Sequence, residues 1–336
     1  HLLSVRASTL GFAMRTVCWM QLVLALAALC CSVAIPLGRH VDGLSNSKLS
    51  VHTAMGDKTW QFVSAAQPRV IKILDNFGDN PTKIKAALPG VVIVGRIYLP
   101  DQPTSGDPAQ TAQQWWANVK DTVLSTPDVD YWEGYNEPPA DADALKWYTQ
   151  FEIERVNILA QNGRKASIGN FATGTPDITQ PSTMEPFNDA IKAAMNNGGI
   201  MGVHEYSSPI MSSCFDNTTG EGWMTGRYRK WYREILSPAG LEIKLVISEN
   251  GIDNGGCGSP NLGGWTQYCS YWSDNYGRSD CAAYYIEQLA WYDSVLREDG
   301  YVIGATIFQL DTPGWDQYDI SYLDAVSSLI SYMNGV

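Results

Sequence analysis

Leu245-Val246-Ile247-Ser248-Glu249-Asn250-Gly251 is an apolar run that ends in a single acid followed by Asn and Gly. A half-exposed strand would show a polar residue at every second position. This run shows none before Ser248, so both of its faces must be buried. Strands covered on both faces belong to parallel sheets with helices packed outside them. With this run read as Ile243 to Ser248, seven others share its character: Leu49 to Ala54, Arg69 to Leu74, Val91 to Tyr98, Val129 to Tyr135, Ala166 to Phe171, Ile200 to Tyr206 and Tyr301 to Leu310. Helical patterns separate them. Leu145, Tyr148, Val156 and Leu159 share one arc that stops at Gly163, and Tyr285, Leu289, Tyr292 and Leu296 share another before Gly300. Eight strand-helix units close into a (β/α)8 TIM barrel. The rival, an open doubly wound sheet, would carry a glycine-rich phosphate loop after its first strand, and none follows Leu49 to Ala54.

The chain is expected to hold two segments, a signal peptide over residues 1–34 and a single catalytic domain over 35–336. Met14 reads as the initiator, with the residues before it as translated upstream sequence. Arg15 supplies a positive start, Val17 to Leu29 an apolar run, and Ser32-Val33-Ala34 the small residues of a cleavage site. The apolar run falls short of the roughly 20 residues that span a membrane, so no membrane association is expected after cleavage. Removal of this segment takes Cys18, Cys30 and Cys31 and leaves Cys214, Cys257, Cys269 and Cys281, an even number suited to an oxidising compartment. Four cysteines allow three pairings. The short spacing of Cys269 and Cys281 favours that bridge, with Cys214 to Cys257 as its companion. Asn217-Thr218-Thr219 is a glycosylation sequon in a polar stretch that reads as a surface loop.

A formal charge of -12 would repel a phosphate backbone, so nucleic acid is not an expected partner. Twelve Trp and 17 Tyr exceed what packing demands and suit a chain that stacks flat apolar faces on a ligand such as a sugar. No Cys-x-x-Cys, histidine cluster or nucleotide loop occurs, so neither a metal nor a cofactor is expected.

In a barrel the chemistry lies at the carboxyl ends of the strands. The fourth run leads into Trp132-Glu133-Gly134-Tyr135-Asn136-Glu137-Pro138-Pro139, which places Glu137 at the mouth, and the seventh places Glu249 there. Two carboxylates across a groove are what glycosidic bond cleavage requires. One must be protonated for the leaving oxygen, and the other ionised to attack or stabilise the anomeric carbon. Asn136 beside the acid can donate to a ring hydroxyl, and Tyr206 near a carboxylate would hold it ionised and aimed. Glu205 should point away from His204 and Tyr206, toward the helices.

Asn136-Glu137-Pro138 after a fourth strand, with Glu249 after a seventh, resembles the retaining glycoside hydrolases of clan A, over roughly Leu49 to Leu310. The resemblance implies Glu137 as acid/base, Asn136 as the group that binds the sugar 2-hydroxyl, and Glu249 as nucleophile. His204-Glu205-Tyr206 is similar to the His-x-Tyr of glycoside hydrolase family 5, in which the Tyr bonds the nucleophile, and Arg96 corresponds to that group's arginine beside it. For the further histidine of that pattern only His52 is available, on the first strand. Phe308 stands where the pattern ends its eighth strand in tryptophan, with Trp315 a little later. Families 39 and 128, the latter β-1,3-glucanases, remain open.

Candidate sugar-binding side chains are Trp115, Trp116, Trp265, Trp272 and Trp315, with Gln309 and Asp311 as hydroxyl partners at the mouth. The segment from Gly251 to Asp280 is long for a connection in this fold and reads as a disulfide-pinned wall of the groove. The expectation is a secreted, extracellular or wall-associated monomeric β-glycosidase acting on a β-glucan or related polysaccharide or oligosaccharide. The alternatives are a transglycosylase with the same residues and a non-catalytic glycan-binding wall protein. Carboxyl groups about 5 to 5.5 Å apart would imply retention of configuration, and roughly 6.5 to 9.5 Å inversion.

Overall fold

The computed structural model describes residues 43–258 and 260–336. The signal-peptide reading lies outside them. Eight parallel strands form the barrel: β1 (Leu49–Thr53), β2 (Val70–Leu74), β3 (Val92–Arg96), β4 (Tyr131–Glu133), β5 (Ala166–Phe171), β6 (Ile200–Ser207), β7 (Leu245–Ile252) and β8 (Val302–Leu310). Each pairs with its neighbours in sequence, and β8 closes on β1. Each overlaps one of the eight apolar runs, and β7 continues past Ser248 through Glu249 to Ile252.

Eight helices return the chain: α1 (Asp57–Ala66), α2 (Asn80–Ala87), α3 (Pro108–Ser125), α4 (Ala142–Gln161), α5 (Asn188–Asn196), α6 (Arg227–Trp231), α7 (Cys281–Arg297) and α8 (Ala325–Gly335). Asp107, Asp141 and Asp280 accept hydrogen bonds from the first-turn amides of α3, α4 and α7, which are otherwise unpaired donors. Among the described residues no helix is long and apolar enough to cross a membrane.

The barrel has two interiors. Toward its amino end Val70, Val94, Ile200 and Val246 pack into an apolar plug. Two residues along the same faces of β2 and β3 stand Lys72 and Arg96, so the apolar layer gives way to a charged one at the carboxyl end. The other strand face meets the helices through residues such as Ile71, Ile73, Ile93 and Ile168.

The end of β4 is held by Arg155 of α4, fully buried, which donates to the carbonyls of Trp132 and Ser167 and pairs with Glu152. A Cβ on Gly134 would sit 2.6 Å from the Arg155 Nε, so glycine is required there. Glu205 does face the helices. Its carboxyl accepts from the amides of Gly226 and Tyr228 and from the Tyr292 hydroxyl of α7.

Cys214–Cys257 and Cys269–Cys281 are the two disulfides, with Cα separations of 5.9 and 5.1 Å. They pin the segment between β7 and α7, which folds into a short helix over Cys269–Tyr276. Asn217 is exposed in the turn of a two-stranded ribbon, Phe215–Asp216 with Glu221–Gly222.

Two measurements probe this framework. Replacing both cysteines of a bridge by serine frees loops of 12 and 43 residues. Chain entropy then costs about 3 kcal/mol for Cys269–Cys281 and about 4 kcal/mol for Cys214–Cys257, readable by denaturant unfolding. Burial pushes Glu205 up from 4.5 to about 7, against the three groups that donate to it. A carboxyl whose folded pKa is raised binds more protons folded than unfolded, so its contribution is full below pH 4.5 and is lost as pH rises through 7. Wild type should lose up to about 3 kcal/mol between pH 4 and 8 on this account, and Glu205→Gln should remove that slope.

Candidate active site

Glu249 sits near the carboxyl end of β7 with its side chain only 7% exposed, and side chains from four other strands converge on it. Lys72 of β2 donates to its Oε1 at 3.1 Å, and Arg96 of β3 to the same oxygen at 3.2 Å. His52 of β1 places Nδ1 3.5 Å from that oxygen. Tyr206 of β6 donates its hydroxyl to Oε2 at 2.9 Å. Burial works to raise the Glu249 pKa, but the facing side chains of His204, Lys72, His52 and Arg96 outweigh it and hold the carboxyl well below its usual range. Burial, then Lys72, pushes His52 well below the imidazole range, so it is neutral and Lys72 and Arg96 carry the fixed charge. Burial and the adjacent Glu249 anion push Tyr206 far up, which keeps it a proton donor.

Glu137 has the opposite environment. It lies on the loop after β4 with its side chain 39% exposed, and its backbone is left-handed at φ 48°. A non-glycine residue in that region stores about 1 kcal/mol or more and is held there by its surroundings. Its amide donates to the Asn170 carbonyl at 3.0 Å. Beside it, Gln102 clamps both backbone groups of Asn136, donating to the carbonyl at 2.9 Å and accepting from the amide at 2.6 Å. The Asn136 side-chain Oδ1 is left without a partner.

His204 joins the two carboxylates. A register shift between Val203 and His204 sets His204 opposite Glu249 in the β6–β7 ladder. Its Nδ1 lies 2.8 Å from Glu137 Oε1 and 3.6 Å from Glu249 Oε2, so one ring nitrogen faces both carboxyl groups. One oxygen of Glu137, Nδ1 of His204 and one oxygen of Glu249 all lie within 4.8 Å of one another. The same three groups have the donor set of a metal site, but Lys72 and Arg96 at Glu249 oppose a cation there.

A cavity of about 200 Å³ opens over the pair, lined by Arg96, Asn136, Glu137, Tyr206, Glu249 and Trp315 among others. Tyr98, Phe308, Trp315 and Tyr318 supply its aromatic walls, and Tyr318 donates to Asp253 at 2.6 Å. A shallower cavity of about 440 Å³ adjoins it, sharing Leu74 and Trp315. Trp315, 49% exposed, stands between the two.

Five expected binding residues line neither of these cavities. Trp265 and Trp272 are fully buried, stacked on or near Tyr285 with their indole N–H groups on the carbonyls of Tyr318 and Pro209. They fill the disulfide-pinned segment and join it to the main core. Gln309 is fully buried and spends its amide on Thr312 and Trp315 backbone groups, ordering the loop after β8. Asp311 does line the adjoining shallower cavity, and its carboxylate accepts from the amide and hydroxyl of Thr59, tying that loop to the first turn of α1. Trp115 is buried as well, and Trp116 is partly buried against the same core.

The residues that strand-end reasoning passed over are Lys72 and Glu133 inside the barrel, Gln102 behind Asn136, and the wall residues Tyr98, Asp253 and Tyr318. Lys72 did leave a signal. A single charge inside Val70-Ile71-Lys72-Ile73-Leu74 must be buried with a partner.

No family model and no curated protein matches this sequence. Among solved structures the chain is similar to a Lactobacillus rhamnosus β-glucuronidase, with TM-score 0.53 and 14% identity over 87% of this chain and 50% of that one. It is similar to the Ruminococcus gnavus β-glucuronidase bound to C6-substituted uronic isofagomine, with TM-score 0.53 and 13% identity over 82% of this chain and 45% of that one. The chain thus spans about half the length of these two proteins. An endo-β-1,3-glucanase of glycoside hydrolase family 128 from Pseudomonas viridiflava is also similar, with TM-score 0.46 and 14% identity over 86% and 97% of the two chains. What the glucuronidases share with this chain at such identities is the (β/α)8 barrel.

Proposed function

We propose that this chain is a secreted retaining β-glycoside hydrolase of the clan A type, with Glu137 as acid/base and Glu249 as nucleophile. The observation that carries the reading is the pair itself. One oxygen of Glu137 lies within 4.8 Å of one oxygen of Glu249 over the cavity, a close approach that suits double displacement, because inversion needs room for a water between the two groups. Their environments differ as the two roles demand. Glu249 is buried and anionic, the state a nucleophile needs, whereas Glu137 is 39% exposed on a loop, within reach of solvent and of a leaving oxygen.

The reaction follows from these positions. Glu249 attacks the anomeric carbon while Glu137 gives its proton to the leaving oxygen. Glu137 then takes a proton from water, which attacks the same carbon and frees Glu249. Asn136 hydrogen-bonds a ring hydroxyl and tightens as the ring flattens toward an oxocarbenium ion. Trp315 offers an exposed face for a second ring.

The cavity favours a neutral sugar. Arg96 is the one cation among its lining residues and is committed to Glu249, while Glu137 and Asp253 add negative charge that would repel a uronate. This supports a β-glucan or related neutral polysaccharide rather than the substrate class named for the glucuronidases. Two disulfides support a secreted location.

Reducing-sugar release from β-1,3-, β-1,4- and mixed-linkage glucans, mannan and xylan tests the reading. Activity on one polymer should fall by at least about a thousandfold in both Glu137→Gln and Glu249→Gln, with product of retained anomeric configuration by NMR. Binding of a polymer by all three proteins without release from any would replace the hydrolase by a glycan-binding protein.

A further inference from the structure

Beneath the cavity floor lies an ionic chain that the reaction above leaves without a part. Lys72, with no exposed side-chain surface, holds its ammonium 2.9 Å from Glu133 Oε2 and 3.1 Å from Glu249 Oε1. Glu133 has a side chain 1% exposed, and neither carboxylate oxygen has a hydrogen-bond partner. A carboxylate buried with one ion pair and no hydrogen bond is costly, and an apolar pair of similar volume would serve the fold as well or better. Glu133 and Lys72 therefore need a reason beyond stability.

We propose that Lys72 and Glu133 form a charge couple that drives breakdown of the glycosyl ester, with Lys72 a positioning residue acting through Glu249 and Glu133 its standing counterion. The inference rests on the glycosidase reading. In the first step an oxygen of Glu249 bonds to the anomeric carbon, the bond from that carbon to the leaving oxygen breaks, and that oxygen takes the Glu137 proton. Glu249 becomes a neutral ester, and Lys72 keeps Glu133 as its anionic partner. In the second step water bonds to the anomeric carbon, Glu137 takes the water's proton, and the electron pair of the ester bond returns to Glu249. The charge that reappears on Glu249 develops beside an ammonium already in place, so the couple stabilises this transition state without reorganisation.

The other groups facing Glu249 do not duplicate the couple. His52 on β1 is neutral, Arg96 on β3 is 13% exposed at the cavity wall, and His204 and Tyr206 on β6 serve the opposite oxygen. Glu137 after β4 and Asp253 after β7 are acids and add no positive charge.

The test uses 2,4-dinitrophenyl β-cellobioside and β-laminaribioside, whose leaving group makes the first step fast. Wild type, Lys72→Met, Lys72→Arg and the double variant K72M/E133Q are compared. Lys72→Met should give a burst of dinitrophenol followed by turnover at least about tenfold slower, with glycosyl-enzyme accumulating by intact mass. Its acidic limb of kcat/KM should move up by about one pH unit, since losing a cation raises the Glu249 pKa. Lys72→Arg should restore both toward wild type. The double variant leaves no unpaired carboxylate, so it carries the test where Lys72→Met fails to fold, and it should show the same burst. Variants that lose activity with no burst, no ester and an unmoved acidic limb would overturn the inference. A wild type that turns over neither glycoside nor any polymer of the panel removes the glycosidase reading and the inference together, a result distinct from turnover without a burst.

Discussion

A carboxylate buried at the mouth of a barrel has to be neutralised by whatever the other strands point into the interior at that height, and Glu249 imposes that condition on this chain. Inward side chains of adjacent strands lie in layers, so a charge near the end of β7 is felt by β1, β2, β3 and β6 at once. His52, Lys72, Arg96, His204 and Tyr206 all meet it. Lys72 carries the condition one layer deeper, because a buried ammonium shared with one carboxylate finds a second in Glu133. The apolar plug of Val70, Val94, Ile200 and Val246 below keeps water from reaching this layer from the amino end.

The two glutamates at the mouth differ because one ends a strand and the other sits on a loop. Glu249 takes its position from the sheet and its charge from fixed cations. Glu137 takes its position from local devices: the Gln102 clamp on Asn136, the Asn170 carbonyl and the His204 imidazole. A strained backbone at Glu137 is tolerable where so many contacts hold it. The result is an acid with solvent access facing an anion without it, and His204 spans the gap between them.

The aromatic residues divide by the same logic of what must be filled. The segment between β7 and α7 stacks Trp265, Tyr268 and Trp272 toward Tyr285 of α7, which carries the main core outward under the segment, and two disulfides close it. Composition counts those rings together with Trp315 and Tyr98. Only the packing separates a ring that fills a void from one that faces a cavity.

The local sequence decided a good deal. Eight apolar runs, each long enough for one strand and separated by helical patterns, specified the barrel, and the barrel put Glu137 and Glu249 at its mouth because strand ends face one way. The bridge between Cys269 and Cys281 followed from spacing, and Glu205 from strand alternation. Gln309 and Asp311 sit where the strand-end rule points, yet their polar groups are spent on Thr312, Trp315 and Thr59. Periodicity assigns a residue to a face or an end, not the partner that reaches it there. Lys72 and Glu133 lie about 60 residues apart, on strands separated by β3, and meet only because inward side chains of alternate strands share the barrel interior. Such pairings depend on barrel closure, on the register shift at His204 and on which loop folds back, and those are long-range events that no single stretch of chain encodes.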